Sequence, residues 1–302
     1  MDFIKSSNQN TAPANFKSYN LASHGLMTLS SETIVTSRRR SIPELRISVI
    51  IPVFNQVGKI SYSIEKIKQA VESASSNYEL IVVNDGSTDN TLTILRDLAM
   101  TDEHLHVISY TPNRGKGYAV RQGVLHSHGD AVIFLDGDLD ISPHLIRDYV
   151  EKLGTSDLVI ASKRHPESSV TIPRSRAFLS RAFHLLIKLT IGIAQADTQA
   201  GFKVGKGDIM RTIFRNISVN RYAFDVELLT IASILHLKVQ EMPVIMTIER
   251  RFNTKEIVNM FNDVMRIYYK HKLLHKYDKE LIGLSVKLEG EKDQYQQDCF
   301  VA

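Results

Sequence analysis

The sequence predicts an α/β protein: a mainly parallel central sheet flanked by helices, with amphipathic helices in the C-terminal half. Three observations carry this expectation. From residue 47 onward, short apolar runs of strand length alternate with segments of helical spacing. The chain has 302 residues and is 43% hydrophobic, enough core for one large α/β domain or two ordinary ones. Polar clusters also fall directly after several of the strands, where sheets of this kind bind their ligands.

The elements follow in order. Residues 47–51 (Ile-Ser-Val-Ile-Ile) read as a strand stopped by Pro52, and 59–74 carry Ile60, Ile64, Ile67 and Val71 at helical spacing. A strand over 79–83 leads into Asn84-Asp85-Gly86-Ser87-Thr88, where Ser87 and Thr88 are good N-caps for a helix running to about residue 99. Strand 105–109, helix 116–127, strand 131–135, helix 143–153 and strand 158–161 continue the alternation. Residues 162–173 read as a loop and 174–194 as an amphipathic helix. A short strand at 202–204, a helix at 224–234, strands 239–242 and 244–248 split by Pro243, and a helix over 254–277 complete the series. No internal repeat is visible.

The ends differ from this pattern. Residues 1–45 are rich in Ser, Asn and Thr, lack apolar periodicity and read as a disordered polar segment; residues 284–302 read as a flexible polar tail. That leaves 46–283 as the folded domain. The N-terminal segment has no continuous apolar core of the kind an export signal needs, and no apolar window of transmembrane length occurs anywhere. Cys299 is the only cysteine, which excludes an internal disulfide and a cysteine metal site and fits a reducing compartment. A net charge of +4 is too small to imply a nucleic-acid partner, and the run Arg38-Arg39-Arg40 reads as a solvated charge cluster.

The chemistry concentrates at the end of strand 131–135, in Asp136-Gly137-Asp138. Side chains alternate faces along a strand, so Asp136 and Asp138 can point the same way, and Asp140 shares their parity as a third metal-ligand candidate. Hard carboxylate oxygens at an open strand end suit Mg2+ or Mn2+ completed by substrate phosphates; an acidic turn capping the strand is the alternative. Asn55, Asp85 and Asp136 all follow strands and should converge on one crevice. In Asn113-Arg114-Gly115-Lys116-Gly117 the glycines would let backbone approach a ligand while Lys116 supplies positive charge. No Ser or Thr follows the Lys, so this is not a P-loop, and no G-x-G-x-x-G follows a strand. Further on, the residues between 163 and 188 are basic (Lys163, Arg164, Arg174, Arg176, Arg181, Lys188) and only Glu167 opposes them. Arg174, Arg181 and Lys188 recur at seven-residue steps, with Phe178, Ala182, Leu185, Leu186 and Leu189 on another face. Such a helix lies readily on an anionic bilayer surface; an ordinary surface helix packed on the core is the alternative.

These residues carry a resemblance. Ser48-Val49-Ile50-Ile51-Pro52-Val53-Phe54-Asn55, Val83-Asn84-Asp85-Gly86-Ser87-Thr88-Asp89 and Asp136-Gly137-Asp138, in this order, resemble glycosyltransferase family 2 enzymes with a GT-A fold. Asn113 to Gly117, Asp197-Thr198-Gln199-Ala200-Gly201-Phe202-Lys203 and Arg221-Tyr222-Ala223-Phe224-Asp225-Val226-Glu227-Leu228 narrow the likeness to dolichyl-phosphate β-glucosyltransferases, with dolichol-phosphate mannose synthases next. The resemblance covers about residues 46–272 and implies inverting transfer of a hexose from a nucleotide sugar (UDP-glucose first, GDP-mannose second) to dolichyl or polyprenyl phosphate. It implies Mg2+ or Mn2+ on Asp136, Asp138 and Asp140, and nucleotide-sugar binding by Pro52, Asn55, Asp85, Lys116 and Asp136. Asp138, Asp197, Gln199 and Arg176 would be catalytic, with Lys163, Arg174, Arg176 and Ser180 holding the acceptor phosphate. Lys163 stands where the mannose synthases usually have Arg, so its grip on that phosphate would not be bidentate. The implied location is cytoplasmic, peripheral on the cytoplasmic face of a membrane. A family 2 transferase with a soluble glycan acceptor, and a non-catalytic nucleotide-sugar-binding subunit, are the other readings.

Overall fold

The computed structural model describes residues 44–247, 254–273 and 277. The polar segment before residue 44, with its arginine triplet, and the tail 284–302 lie outside the described residues. The strands are β1 (Ile47–Val53), β2 (Tyr78–Asp85), β3 (Leu105–Tyr110), β4 (Ala131–Leu135), β5 (Leu158–Ser162), β6 (Ser169–Thr171), β7 (Phe202–Lys206), β8 (Val239–Pro243) and β9 (Ile245–Thr247). The helices are α1 (Ile60–Ala74), α2 (Thr91–Thr101), α3 (Lys116–Leu125), α4 (Ile146–Lys152), α5 (Arg174–Thr190), α6 (Gly207–Asn216), α7 (Phe224–Ile234) and α8 (Thr254–Tyr268).

Seven strands form one sheet in the order β3-β2-β1-β4-β7-β5-β8, and β6 pairs with β9 in a separate two-stranded ladder. The alternation of side chains along each strand divides the core in two. Ile50, Ile81, Val83, Val132 and Phe134 pack on one face with α3, α6 and α7. Val49, Ile51, Leu80, Val82, Ile133 and Leu135 pack on the other with α1. The sheet is mainly parallel, as expected; β7 is the exception, running antiparallel to both β4 and β5. This reversal positions the site. Because Leu135 at the end of β4 pairs with Phe202 at the start of β7, the segment from Asp197 to Gly201 arrives beside Asp136.

Several boundaries differ from expectation for physical reasons. Pro52 does not stop β1, which runs to Val53: the ladder with β4 ends at Ile50, so a missing donor at 52 falls where that flank has already lost its neighbour. Ser87 and Thr88 do not cap α2, which begins at Thr91; Asp89 accepts the Thr91 N–H instead, at 3.0 Å. Helix α5 ends at Thr190 rather than 194, because Gly192 takes a left-handed φ of +83° and its N–H closes onto Ile187 O. The last helix gives way after Tyr268 to a π-helical turn, Tyr269–Leu273. The expected loop 162–173 contains β6, too short to show a period. Helix α6 is an addition: Ile209, Met210, Ile213 and Phe214 are all buried and repeat at helical spacing.

Candidate functional site

One wall of the cleft is built from the carboxyl ends of β1, β2 and β4. Asn55, just past β1, takes a left-handed φ of +51°, a conformation Asn tolerates. Its N–H donates to Ser87 Oγ at 2.9 Å, and its Oδ1 accepts from Thr88 N–H at 2.8 Å. Ser87 and Thr88 therefore lock the loop after β1 to the loop after β2. Asp85 closes β2 and is buried; its carboxylate accepts the N–H groups of Arg114 (2.8 Å) and Gly115 (2.9 Å), and Asn113 Nδ2 donates to its carbonyl at 2.9 Å. So Asp85 anchors the loop that leads into α3, and a carboxylate has lone pairs beyond those used here. The glycines of that loop are packed closely against protein. A Cβ on Gly115 would lie 2.6 Å from Asn220 O, and one on Gly117 would lie 2.8 Å from Phe224 Cβ.

The aspartates lie on a turn. β4 ends at Leu135, Leu139 N–H bonds back to Asp136 O at 3.3 Å, and Leu139 itself has a left-handed φ of +59°. Strand parity therefore ends at Leu135 and does not reach Asp136, Asp138 or Asp140; the Asp140 N–H folds back onto Asp138 Oδ1 at 3.2 Å. Among the described residues no three His, Cys, Asp or Glu side chains gather to hold a metal. Asp136 is ion-paired with Lys116, Nζ to Oδ1 2.6 Å and Nζ to Oδ2 2.9 Å. Burial works against the Lys116 charge, but Asp136 foremost, with Asp225 and Asp138, holds its pKa well above the ordinary lysine value. Asp138 reaches solvent, yet the protein enclosing it and the Asp136 carboxylate beside it push its pKa up. Beneath the turn, Gln56 Oε1 is a buried oxygen with no hydrogen-bond partner. Two crowded carboxylates with further hard oxygens nearby fit a small divalent cation that takes its remaining ligands from substrate phosphates.

The opposite wall of the cleft is organised by Asp197. Its carboxylate accepts Lys163 Nζ at 2.9 Å, Lys163 N–H at 2.8 Å and Gln199 N–H at 3.0 Å, while Glu241 accepts the N–H groups of Ala196 and Asp197 at 3.1 Å each. Burial would raise the Asp197 pKa, but Lys163 outweighs it and holds the carboxyl below its ordinary value. Asp197 thus stands behind the cavity wall rather than on it. Lys163, Ser180, Gln199, Asp136 and Asp140 line a cavity together with Ile172, Leu179, Phe183, Met246, Ile257 and Met260. Asp138 faces a neighbouring open groove, with Asp140 at the junction of the two. Arg174 and Arg176 stand on the first turn of α5, but their side chains lie outside what the structure describes. Pro52 lies within β1.

Two groups escaped the sequence reading. Glu241, on β8, orients the Asp197 backbone across 44 residues of chain, a link no local pattern announces. Lys203, in the middle of the sheet, is 1% exposed and donates to Asp225 Oδ1 at 2.7 Å. An unbroken strand with a lysine at its centre was the available signal, because buried Lys is almost never unpaired. On α5 the exposed residues are Arg181, Ala182, Leu185, Lys188 and Leu189, whereas Ile187 is buried. Basic and apolar side chains therefore share the exposed face instead of dividing between two.

A sheet with one reversed strand that delivers a loop to an aspartate pair is the plan of a GT-A glycosyltransferase. Glucosyl-3-phosphoglycerate synthase from Mycobacterium tuberculosis, solved with Mn2+, uridine-diphosphate-glucose and phosphoglyceric acid, has this fold. It superposes with a TM-score of 0.59 at 21% identity over 75% of this chain and 79% of that one. Residues 48–214 match Glycosyl transferase family 2, and the chain belongs to that family. It is 33% identical to dolichyl-phosphate beta-glucosyltransferase ALG5C of Trichomonas vaginalis, over 67% of this chain and 64% of the relative. It is 31% identical to the dolichyl-phosphate beta-glucosyltransferase of Drosophila melanogaster, over 70% of each. The chain thus spans about two thirds of the length of these relatives.

Proposed function

We propose that this chain, through a GT-A domain over residues 46–283, transfers glucose from UDP-glucose to dolichyl or another polyprenyl phosphate with inversion at the anomeric carbon. The observation that carries the reading is the cavity: Lys163, Ser180, Gln199 and Asp136 line it together with apolar side chains from α5, α8 and β9. That is the amphiphilic shape of a lipid phosphate, and a soluble acceptor would have no use for the apolar part. The relatives named above are glucosyltransferases acting on dolichyl phosphate, which favours glucose over mannose.

In this reading Pro52, Asn55 and Asp85 line the nucleotide end and Lys116 addresses the diphosphate. Asp136 and Asp138 would hold Mg2+ or Mn2+, which would supply charge to neutralise the departing nucleotide. A phosphate monoester has its second pKa near ~6 and is mostly dianionic at neutral pH, so no strong general base is needed. Lys163 positions that dianion together with Ser180; Arg174 and Arg176 at the start of α5 are the further candidates for it, and Asp197 holds Lys163 in place while accepting the Gln199 N–H, which sets the cavity wall.

A lipid acceptor is met at a bilayer. Leu185 and Leu189 on α5 are 55% and 76% exposed beside Arg181 and Lys188, and Val258 and Phe261 on α8 are exposed next to the cavity-lining Ile257 and Met260. We place these two helix faces on the anionic cytoplasmic leaflet. Among the described residues no helix is long and apolar enough to cross a membrane. Leu179→Glu tests the cavity: it should raise KM for dolichyl phosphate while UDP-glucose affinity stays at the parent value. A variant whose acceptor KM matches the parent would sink the assignment.

A further inference from the structure

The Lys203–Asp225 ion pair lies one layer beneath the cleft. Lys203 sits on β7, facing Phe134 of β4 on one side and Ile160 of β5 on the other. Its ammonium donates to Asp225 Oδ1 and to Ala200 O, both at 2.7 Å, and stands 5.3 Å from the Phe134 ring centre. Asp225, in the first turn of α7, is 3% exposed. As a means of holding the core together such a pair is a poor choice, since well-packed apolar residues of similar volume are often as stable or more so. Its contacts point elsewhere.

Both partners reach the groups that face the donor. The carbonyl that Lys203 grips belongs to Ala200, and the next residue, Gly201, backs directly onto Asp136: a Cβ there would lie 2.0 Å from Asp136 Oδ2. Asp225 follows Phe224, whose Cβ would lie 2.8 Å from a Cβ on Gly117, so the start of α7 rests on the start of α3, where Lys116 is. Lys116 in turn donates to Asp136 Oδ2 at 2.9 Å.

We infer that Lys203 and Asp225 are positioning residues for the donor end of the site. The pair clamps the turn at Ala200 and Gly201 behind Asp136, and through Asp225 it ties that turn to the start of α7, which rests on the start of α3. Asp136 and its partner Lys116 are thereby held in register. This rests on the reading that the cleft binds a nucleotide sugar, and the parent protein supplies the control for that reading.

The test compares the parent, Lys203→Met, Asp225→Asn and the apolar double variant Lys203→Met/Asp225→Leu. Each is measured by thermal melting, by calorimetric titration of UDP-glucose in Mg2+, and by steady-state kinetics. Either single change leaves a buried charge unpaired and should lower the melting temperature. The double variant should regain stability yet bind UDP-glucose at least tenfold more weakly, with kcat reduced and KM for dolichyl phosphate unchanged. A stable double variant with parent donor affinity and kcat overturns the inference, since the pair would then be packing alone. If the double variant does not fold, Lys203→Arg and Asp225→Glu decide. Both keep the charges but shift them, and should show raised donor KM with parent acceptor KM; parent kinetics in both would overturn the inference. A parent protein that binds no nucleotide sugar fails the functional reading, and the inference falls with it, whereas parent-like variants of a binding-competent parent fail the inference alone.

Discussion

Gly201→Ala places one methyl group against the aspartate that matters most. The added Cβ would lie 2.0 Å from Asp136 Oδ2 and 2.9 Å from its Cγ, whereas real Cβ contacts essentially never fall below 3.0 Å. The carboxylate must therefore shift by about 1 Å, which disturbs its 2.6 Å bond to Lys116. Gly201 does not have a positive φ, so alanine meets no backbone obstacle and the fold should persist. Loss of a charge-assisted hydrogen bond costs about 1.5–3 kcal/mol, and misplacing a positioned group by that distance can cost about a hundredfold in rate. We expect UDP-glucose affinity and kcat to fall by roughly tenfold to a hundredfold, with a melting temperature close to the parent's. Calorimetric titration of UDP-glucose in Mg2+, beside steady-state kinetics and a thermal melt, reads all three. Parent kinetics in a folded Gly201→Ala protein would refute the reasoning, because Asp136 could then move without consequence.

Three further outcomes are expected. Asp136→Asn or Asp138→Asn should abolish most turnover, as should EDTA, while Asp140→Asn, beyond the left-handed Leu139, should do less; full activity in EDTA would contradict the metal assignment. Asp197→Asn leaves Lys163 without its counter-charge and should cost about 3 kcal/mol at neutral pH. Because the folded pKa of Asp197 lies below its ordinary 3.8, that contribution is complete above 3.8 and lost as pH falls through the lower folded value. The stability gap between parent and variant, followed by urea titration across this range, should therefore close on acidification; a gap that widens would contradict the pairing. Arg181→Glu with Lys188→Glu should release the protein from vesicles containing anionic lipid, and sedimentation equal to the parent's would show that this face of α5 does not meet the bilayer.

The parts of the site that were legible in the sequence are those that local periodicity controls. Strand–helix alternation placed Asn55, Asp85 and Asp136 at strand ends on one edge of the sheet, and the structure has them there. The parity argument holds only along the strand, which ends at Leu135, so it could not order the aspartates beyond it: Asp136 lines the cavity, Asp138 the neighbouring groove and Asp140 both. Ser87 and Thr88 look like helix caps from their neighbours alone; their partners lie 32 and 33 residues away, on Asn55. The reversal of β7 left no local mark, because a buried strand has the same composition in either direction. Without it the meeting of Gly201 with Asp136, and the lock of Lys163 by Asp197 across 34 residues, could not be foreseen. Helix α6 was readable from Ile209, Met210, Ile213 and Phe214, but its start directly after β7, with no loop or cap between, hid the boundary.

The central claim is that glucose passes from UDP to a lipid phosphate in the cavity between α5 and α8. Purified protein incubated with Mg2+, UDP-[14C]glucose and dolichyl phosphate should move label into the organic phase as a dolichyl phosphate β-glucoside, with GDP-[14C]mannose giving far less. Label that stays in the aqueous phase, or that prefers mannose, would contradict the account.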